Sequence, residues 1–209
     1  MFRRRELMAD RGELPAGYRR CKYLCGNGKE SSESYAYIDT GICDRVSVKY
    51  DIVMEIGCSV DFDRFAGVNK NRMGLWTMRN FQTSSFVIRL NTVVIGRFIP
   101  PSSKFVYSVN GGSVSVDGIS VAKNTQSYNT QYTIWLFGVN VGDRGTDAKI
   151  YGAKMWENGE LVRNFVPSID SAYRPCMYDT VSKQAFYSEG KGELGYELIN
   201  GDYVPPIKI

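Results

Sequence analysis

The sequence predicts an all-β protein in which two antiparallel sheets pack face to face. Three observations lead there. From Val46 to Phe62 every even position is apolar, and the odd positions are mostly Ser, Lys, Asp, Glu and Gly. Strict alternation of this kind marks an antiparallel strand with one wet face. Glycine (21 residues) and tyrosine (14) are abundant, which with many Val, Ile and Phe favours strands and tight turns. Finally, about a dozen short apolar segments are separated by turn signals, and two packed layers are the economical way to hide their apolar faces.

The elements follow in order. Residues 1–17 read as a separable arm, extended or short-helical over 4–11, ending at Pro15-Ala16-Gly17. The alternating run 46–62 is too long for one ordinary strand, so a bend near Gly57, or two successive strands, is expected. Segments 73–79, 84–90 and 92–98 read as a meander, stopped by Pro100-Pro101. Within 103–122, Asn110-Gly111 and Asp117-Gly118 suit turns that need positive φ. Segment 131–141 is apolar on both faces and reads as a central strand. The stretch 148–168 reads as a hairpin turning at Asn158-Gly159 and ending in a proline stop. Two short strands around Val181-Ser182-Lys183 and an extended tail over 200–209 complete the chain. The body is therefore expected to span 18–199.

Composition bounds the chemistry. The 209 residues include 26 basic and 22 acidic side chains, a formal net charge of +4. That is mild for a nucleic-acid binder. The positive clusters are Arg3, Arg4 and Arg5, then Arg19, Arg20 and Lys22; they read as solvated segments or as an arm docking on an acidic partner. No apolar run is long enough to span a bilayer as a helix, and the start lacks the apolar middle of a signal peptide, so synthesis in a cytosol is expected. Cys21, Cys25, Cys43, Cys58 and Cys176 are odd in number with no C-x-x-C spacing, and read as free thiols. Histidine is absent. This removes Ser-His-Asp and Cys-His nucleophiles, most zinc hydrolases and imidazole acid–base catalysis.

The motifs "ELPAGYRRCKYL", "YIDTGI", "AKIYGAKMWENGELVRNFVPS" and "CMYDTVSKQAFYSEGKGEL" occur in that order. In this the chain resembles the LamG-like, concanavalin A-like proteins frequent in bacteriophages and prophages. The resemblance covers residues 13–195 and is most specific in its last two motifs. It implies a jelly-roll sandwich of two antiparallel sheets, in which the late hairpin contributes Ile150, Trp156 and Phe165 to the core and Val166-Pro167 leads off the sheet. It also implies a non-enzymatic virion structural protein, as capsid decoration, head fibre or tail-associated component, made in the bacterial host cytoplasm. Its expected partners are other virion proteins in a homo-oligomer or larger assembly, docked through Arg3, Arg4, Arg5, Arg19 and Arg20, and a host surface glycan; nucleic acid and membrane are not among them. The alternatives are a free carbohydrate-binding lectin module and a polysaccharide-cleaving enzyme.

For the cleaving branch of that superfamily, alternate carboxylates on one strand face would flank a glycosidic bond. The nearest set is Asp61 and Asp63, following Asp51 and Glu55 on the odd face; it reads as the solvated side of the strand. No catalytic residue is assigned. Calcium is the usual ion of LamG-type sites and needs several oxygen ligands. Asp61 and Asp63 start like an EF-hand loop, but Phe65 and Ala66 break the match. Asn140, Asp143 and Asp147 share one loop and are the remaining calcium candidates; no cofactor is otherwise expected. A sugar platform needs exposed rings beside amides. Trp76, Tyr107, Tyr128 and Tyr132, with Asn69, Asn71, Arg72 and Asn80, are the candidates, although aromatics at strand spacing are more often core.

Overall fold

The computed structural model describes residues 13–26, 36–57, 64–67, 74–80, 85–138, 147–190 and 192–206, with backbone alone at 64–66, 76 and 78–80. These residues form seventeen strands. The first nine are β1 (Arg19–Cys25), β2 (Ile38–Arg45), β3 (Val48–Ile56), β4 (Arg64–Gly67), β5 (Leu75–Asn80), β6 (Ser85–Leu90), β7 (Val93–Phe98), β8 (Phe105–Asn110) and β9 (Ser113–Val116). Then come β10 (Ile119–Ala122), β11 (Asn129–Leu136), β12 (Ala148–Glu157), β13 (Glu160–Ile169), β14 (Pro175–Asp179), β15 (Gln184–Tyr187), β16 (Gly195–Leu198) and β17 (Tyr203–Val204). Among the described residues there is no helix.

The strands make a jelly-roll sandwich of two antiparallel sheets, as expected. One sheet runs β9–β8–β3–β12 and then forks. One branch leads through β13 to β14 and β15; the other leads through β1 to β16 and β17. The second sheet runs β2–β11–β4–β5–β6–β7. Strand β10 ties the two at one edge, pairing with β9 and touching β7 at the single pair Ala122↔Gly96. Gly96 is required there, because a Cβ would lie 2.3 Å from the Val121 carbonyl oxygen.

The core lies between the sheets. Tyr50, Ile52 and Met54 of β3 and Phe105, Tyr107 and Val109 of β8 face Phe86 and Ile88 of β6 and Ile134 and Leu136 of β11, all buried. The Phe98 ring of β7 sits 6.4 Å from that of Phe105 and 6.2 Å from that of Tyr107, across the layers. Burying each such side chain contributes about 1.5–3 kcal/mol. The meander β5–β6–β7, the hairpins of β8–β9–β10 and the β14–β15 pair stand where the sequence placed them.

Several readings are corrected. Val46 is not in the strand but in the turn before β3, and is exposed. The positive-φ residues of the first tight hairpin are Gly111 and Gly112, not Asn110, which closes β8 opposite Ser113. Strand β11 buries one face, with Trp135 half-buried on the other. Trp156 faces outward under Lys49, whose Nζ lies 4.4 Å from the ring centre. The cause is a bulge: register shifts between Ile150 and Gly152, so Ala153 and Met155 point inward beyond it. Strand β13 also continues past Pro167, which pairs with Met177. On its other side β13 leaves β12 at Phe165 and meets β1 at Ser168, so the missing proline N–H falls between partners. Arg19 and Arg20 belong to the sandwich through β1, not to an arm; Arg19 lies over the Tyr173 ring. The 4–11 turn, Arg3, Arg4, Arg5 and Cys58 lie outside the described residues. Cys21, Cys25, Cys43 and Cys176 are free thiols, as expected.

Candidate functional site

The fork in the first sheet creates a concavity. Because the Gly152 bulge turns β12 from one neighbour to another, β1 is wedged between β12 and the end of β13. A groove of about 690 Å³ opens there, lined by Arg20, Cys21, Lys22, Lys104, Tyr151, Pro167 and Ile199. Its size is that of a small-molecule site.

Beside the groove a row of polar and aromatic side chains crosses four strands, β3, β12, β1 and β16, with Lys104 just before β8. Lys149 Nζ donates to Glu55 Oε1 at 2.9 Å, and the Tyr151 hydroxyl donates to Glu55 Oε2 at 2.9 Å. Tyr23 on β1 meets Tyr151 edge-on, with ring centres 5.3 Å apart. Lys104 and Lys149 sit over Tyr151 and Tyr23 respectively, at 4.7 and 5.2 Å. Lys22 Nζ donates to Glu197 Oε1 at 2.7 Å, and Tyr23 hydrogen-bonds the same carboxylate. The hydrogen bond from Lys149 holds the Glu55 carboxyl below its usual range, as that from Lys22 does for Glu197. Burial, and then the hydrogen bonds to these carboxylates, push both phenols up. The row therefore offers ammonium groups and the Tyr151 ring, backed by the buried Tyr23, with both acids held ionised.

A second cluster lies on the outward side of the other sheet. The Tyr37 and Trp135 rings stack at 3.8 Å and 12°. Trp135 Nε1 and Thr133 Oγ1 both donate to Asp39 Oδ2, at 3.0 and 2.7 Å. The Gly41 amide donates to Asp39 Oδ1 at 2.9 Å. Burial, with Asp39 nearby, pushes the Glu189 carboxyl up.

The sequence-chosen platform residues do not converge on either cluster. Tyr107 is 1% exposed and hydrogen-bonds Thr77 across the core at 2.8 Å; its ring is a packing element. Tyr128 is buried too, its hydroxyl donating to Asp44. Tyr132 packs partly against the core beside a shallow polar depression with Arg45, Asn129 and Gln131. Trp76 opposes Arg89 and Asn80 opposes Ser85 on β5, but their side chains are outside the described set. Asn69, Asn71 and Arg72 lie outside it altogether, as do Asp61, Asp63, Asn140 and Asp143. Asp147 is the one calcium candidate that is described, and its main-chain oxygen already accepts from Gly57 N. No group of acidic or cysteine side chains among the described residues is placed to hold a metal ion. On the odd face of β3, Asp51 is buried, not solvated as expected; its Oδ2 lies 3.6 Å from Lys49 Nζ.

No family model and no curated protein matches the chain. Among solved structures, its fold is similar to that of a protein from Bacteroides ovatus proposed to bind carbohydrate. The TM-score is 0.55 at 11% identity, and the match covers 90% of this chain and 62% of the other. This chain thus spans less than two thirds of that protein, and the likeness is one of fold.

Proposed function

We propose that the chain is a non-catalytic carbohydrate-binding module whose ligand lies in the groove at the β1 fork. The observation that carries this is the Tyr151 ring, set in the wall of a ligand-sized groove with Tyr23 and several hydrogen-bonding groups beside it. Sugar C–H faces lie on aromatic rings while their hydroxyls need donors and acceptors. The likeness of fold to a proposed carbohydrate-binding protein supports the same reading. The non-catalytic part is supported by chemistry. The chain has no histidine, and both carboxyls of the row are held ionised, whereas glycoside cleavage needs one protonated acid.

The setting proposed for this module is the surface of a bacteriophage virion, among other virion proteins and facing host glycans. It is supported by the ordered LamG-like motifs of the sequence. Locating the protein in purified particles by immunogold labelling tests it; absence from particles would favour a free lectin.

The binding proposal is tested on an array of saccharides. Reproducible binding by the whole chain, lost in Tyr151→Ala while circular dichroism and the melting temperature hold, supports it. Binding unaffected by Tyr151→Ala, or none at all, overturns it.

A further inference from the structure

We infer that the groove selects an acidic saccharide, one bearing carboxylate or sulfate groups, and that Lys104 is its main charge contact. This rests on the proposed function and narrows it. Among the described lining residues are three cations, Arg20, Lys22 and Lys104, and no carboxylate. The nearby acids are engaged within the protein: Glu55 accepts from Lys149 and Tyr151, and Glu197 from Lys22. Glu197 is matched by Lys22 itself and Glu55 by Lys149, so the charge that Lys104 brings to the lining has no lining carboxylate to offset it. Lys104 projects from the residue before β8, over the ring face of Tyr151, and its charge contributes to keeping Glu55 ionised.

A sugar seated on Tyr151 must therefore meet an ammonium group. A neutral sugar would strip water from that charge and return only weak hydrogen bonds, which is unfavourable. A carboxylate or sulfate would return charge-assisted bonds, about twice as strong as neutral ones. Arg20, also in the lining, has the planar fork that suits both oxyanions. Nucleic acid carries negative charge too, but the cations line one half-open groove with Tyr151, Pro167 and Ile199 and do not form a stripe that would track a phosphate backbone.

The test measures the whole chain by calorimetry against acidic and neutral oligosaccharides of equal length, taken from the array, and against a short thymidylate oligonucleotide. The expected result is that the best acidic saccharide binds at least about tenfold more tightly than its neutral counterpart. Added salt weakens the acidic complex. Lys104→Gln, which removes the charge from this half-buried position, weakens the acidic complex to about the level of its neutral counterpart. Equal or tighter neutral binding overturns the inference while the carbohydrate reading survives. Tighter binding of the oligonucleotide than of any saccharide overturns it in favour of a general polyanion site. Failure of every saccharide, acidic or neutral, sinks the carbohydrate reading along with it.

Discussion

The Tyr128 hydroxyl donates to Asp44 Oδ1 at 3.2 Å inside the sandwich, while the Leu75 amide donates to Oδ2 at 2.6 Å. The carboxyl is 1% exposed. Burial pushes it up from 3.8 to about 6 against the pull of those two donors. The folded state therefore binds a proton that the unfolded chain has released between about pH 4 and pH 6. The contribution of this group is most favourable below pH 4 and is lost as pH rises through 6. Two pH units correspond to about 3 kcal/mol. Asp44→Asn cannot titrate, so it should gain on the wild type in urea-unfolding free energy as pH rises from 4 to 7. A constant difference between the two proteins across that range would mean that Asp44 does not titrate in the core.

The bulge at Gly152 sets which aromatic side chains of the late hairpin matter for stability. Phe165 is 2% exposed and Trp156 faces outward. Phe165→Ala should cost about 3–5 kcal/mol. Trp156→Ala should cost about 1 kcal/mol or less, since only outward packing and the Lys49 contact are lost. Equal costs in chemical denaturation would contradict the assigned parity.

Gly96 is where the two sheets meet at β10. A Cβ there would stand 2.3 Å from Val121 O and 2.4 Å from Ala122 Cβ. Gly96→Ala should therefore destabilise by about 1–3 kcal/mol, read from the urea midpoint. An unchanged midpoint would show that the joint is not tight.

Burial raises the thiols of Cys21 and Cys176 to about 12 and that of Cys25 to about 11. Cys43 is the most exposed of the four described thiols. In a Cys58→Ser background, one thiol should react quickly with a disulfide reagent in the native state and three only on unfolding. Rapid reaction of all four would contradict the packing of β1 and β14.

Much of the architecture was legible because apolar alternation and Gly-containing turns are local signals. Strand β2 was not, because its inward positions 38, 40, 42 and 44 include Thr40 and Asp44. Both are satisfied by distant partners, Ile134 O and Tyr128, that no local pattern reveals. Strand β1 was hidden by a register shift between Cys21 and Tyr23. Trp156 was misplaced by a bulge, and Tyr107 and Tyr128 by core hydrogen bonds that let phenols go inside. The groove was the least legible feature. Tyr23, Glu55, Lys104 and Tyr151 come from four separate segments, and only the fork of β1 between β12 and β13 brings them together. The outward parity of Tyr151 next to buried Ile150 was the one local signal that pointed to it.

The most direct test of the carbohydrate reading is a crystal structure of the whole chain with the tightest saccharide from the array. The expected result is a sugar ring against Tyr151, with an acidic group of the ligand on Lys104. A saccharide seated instead on the Tyr37–Trp135 stack, leaving the fork empty, would contradict it.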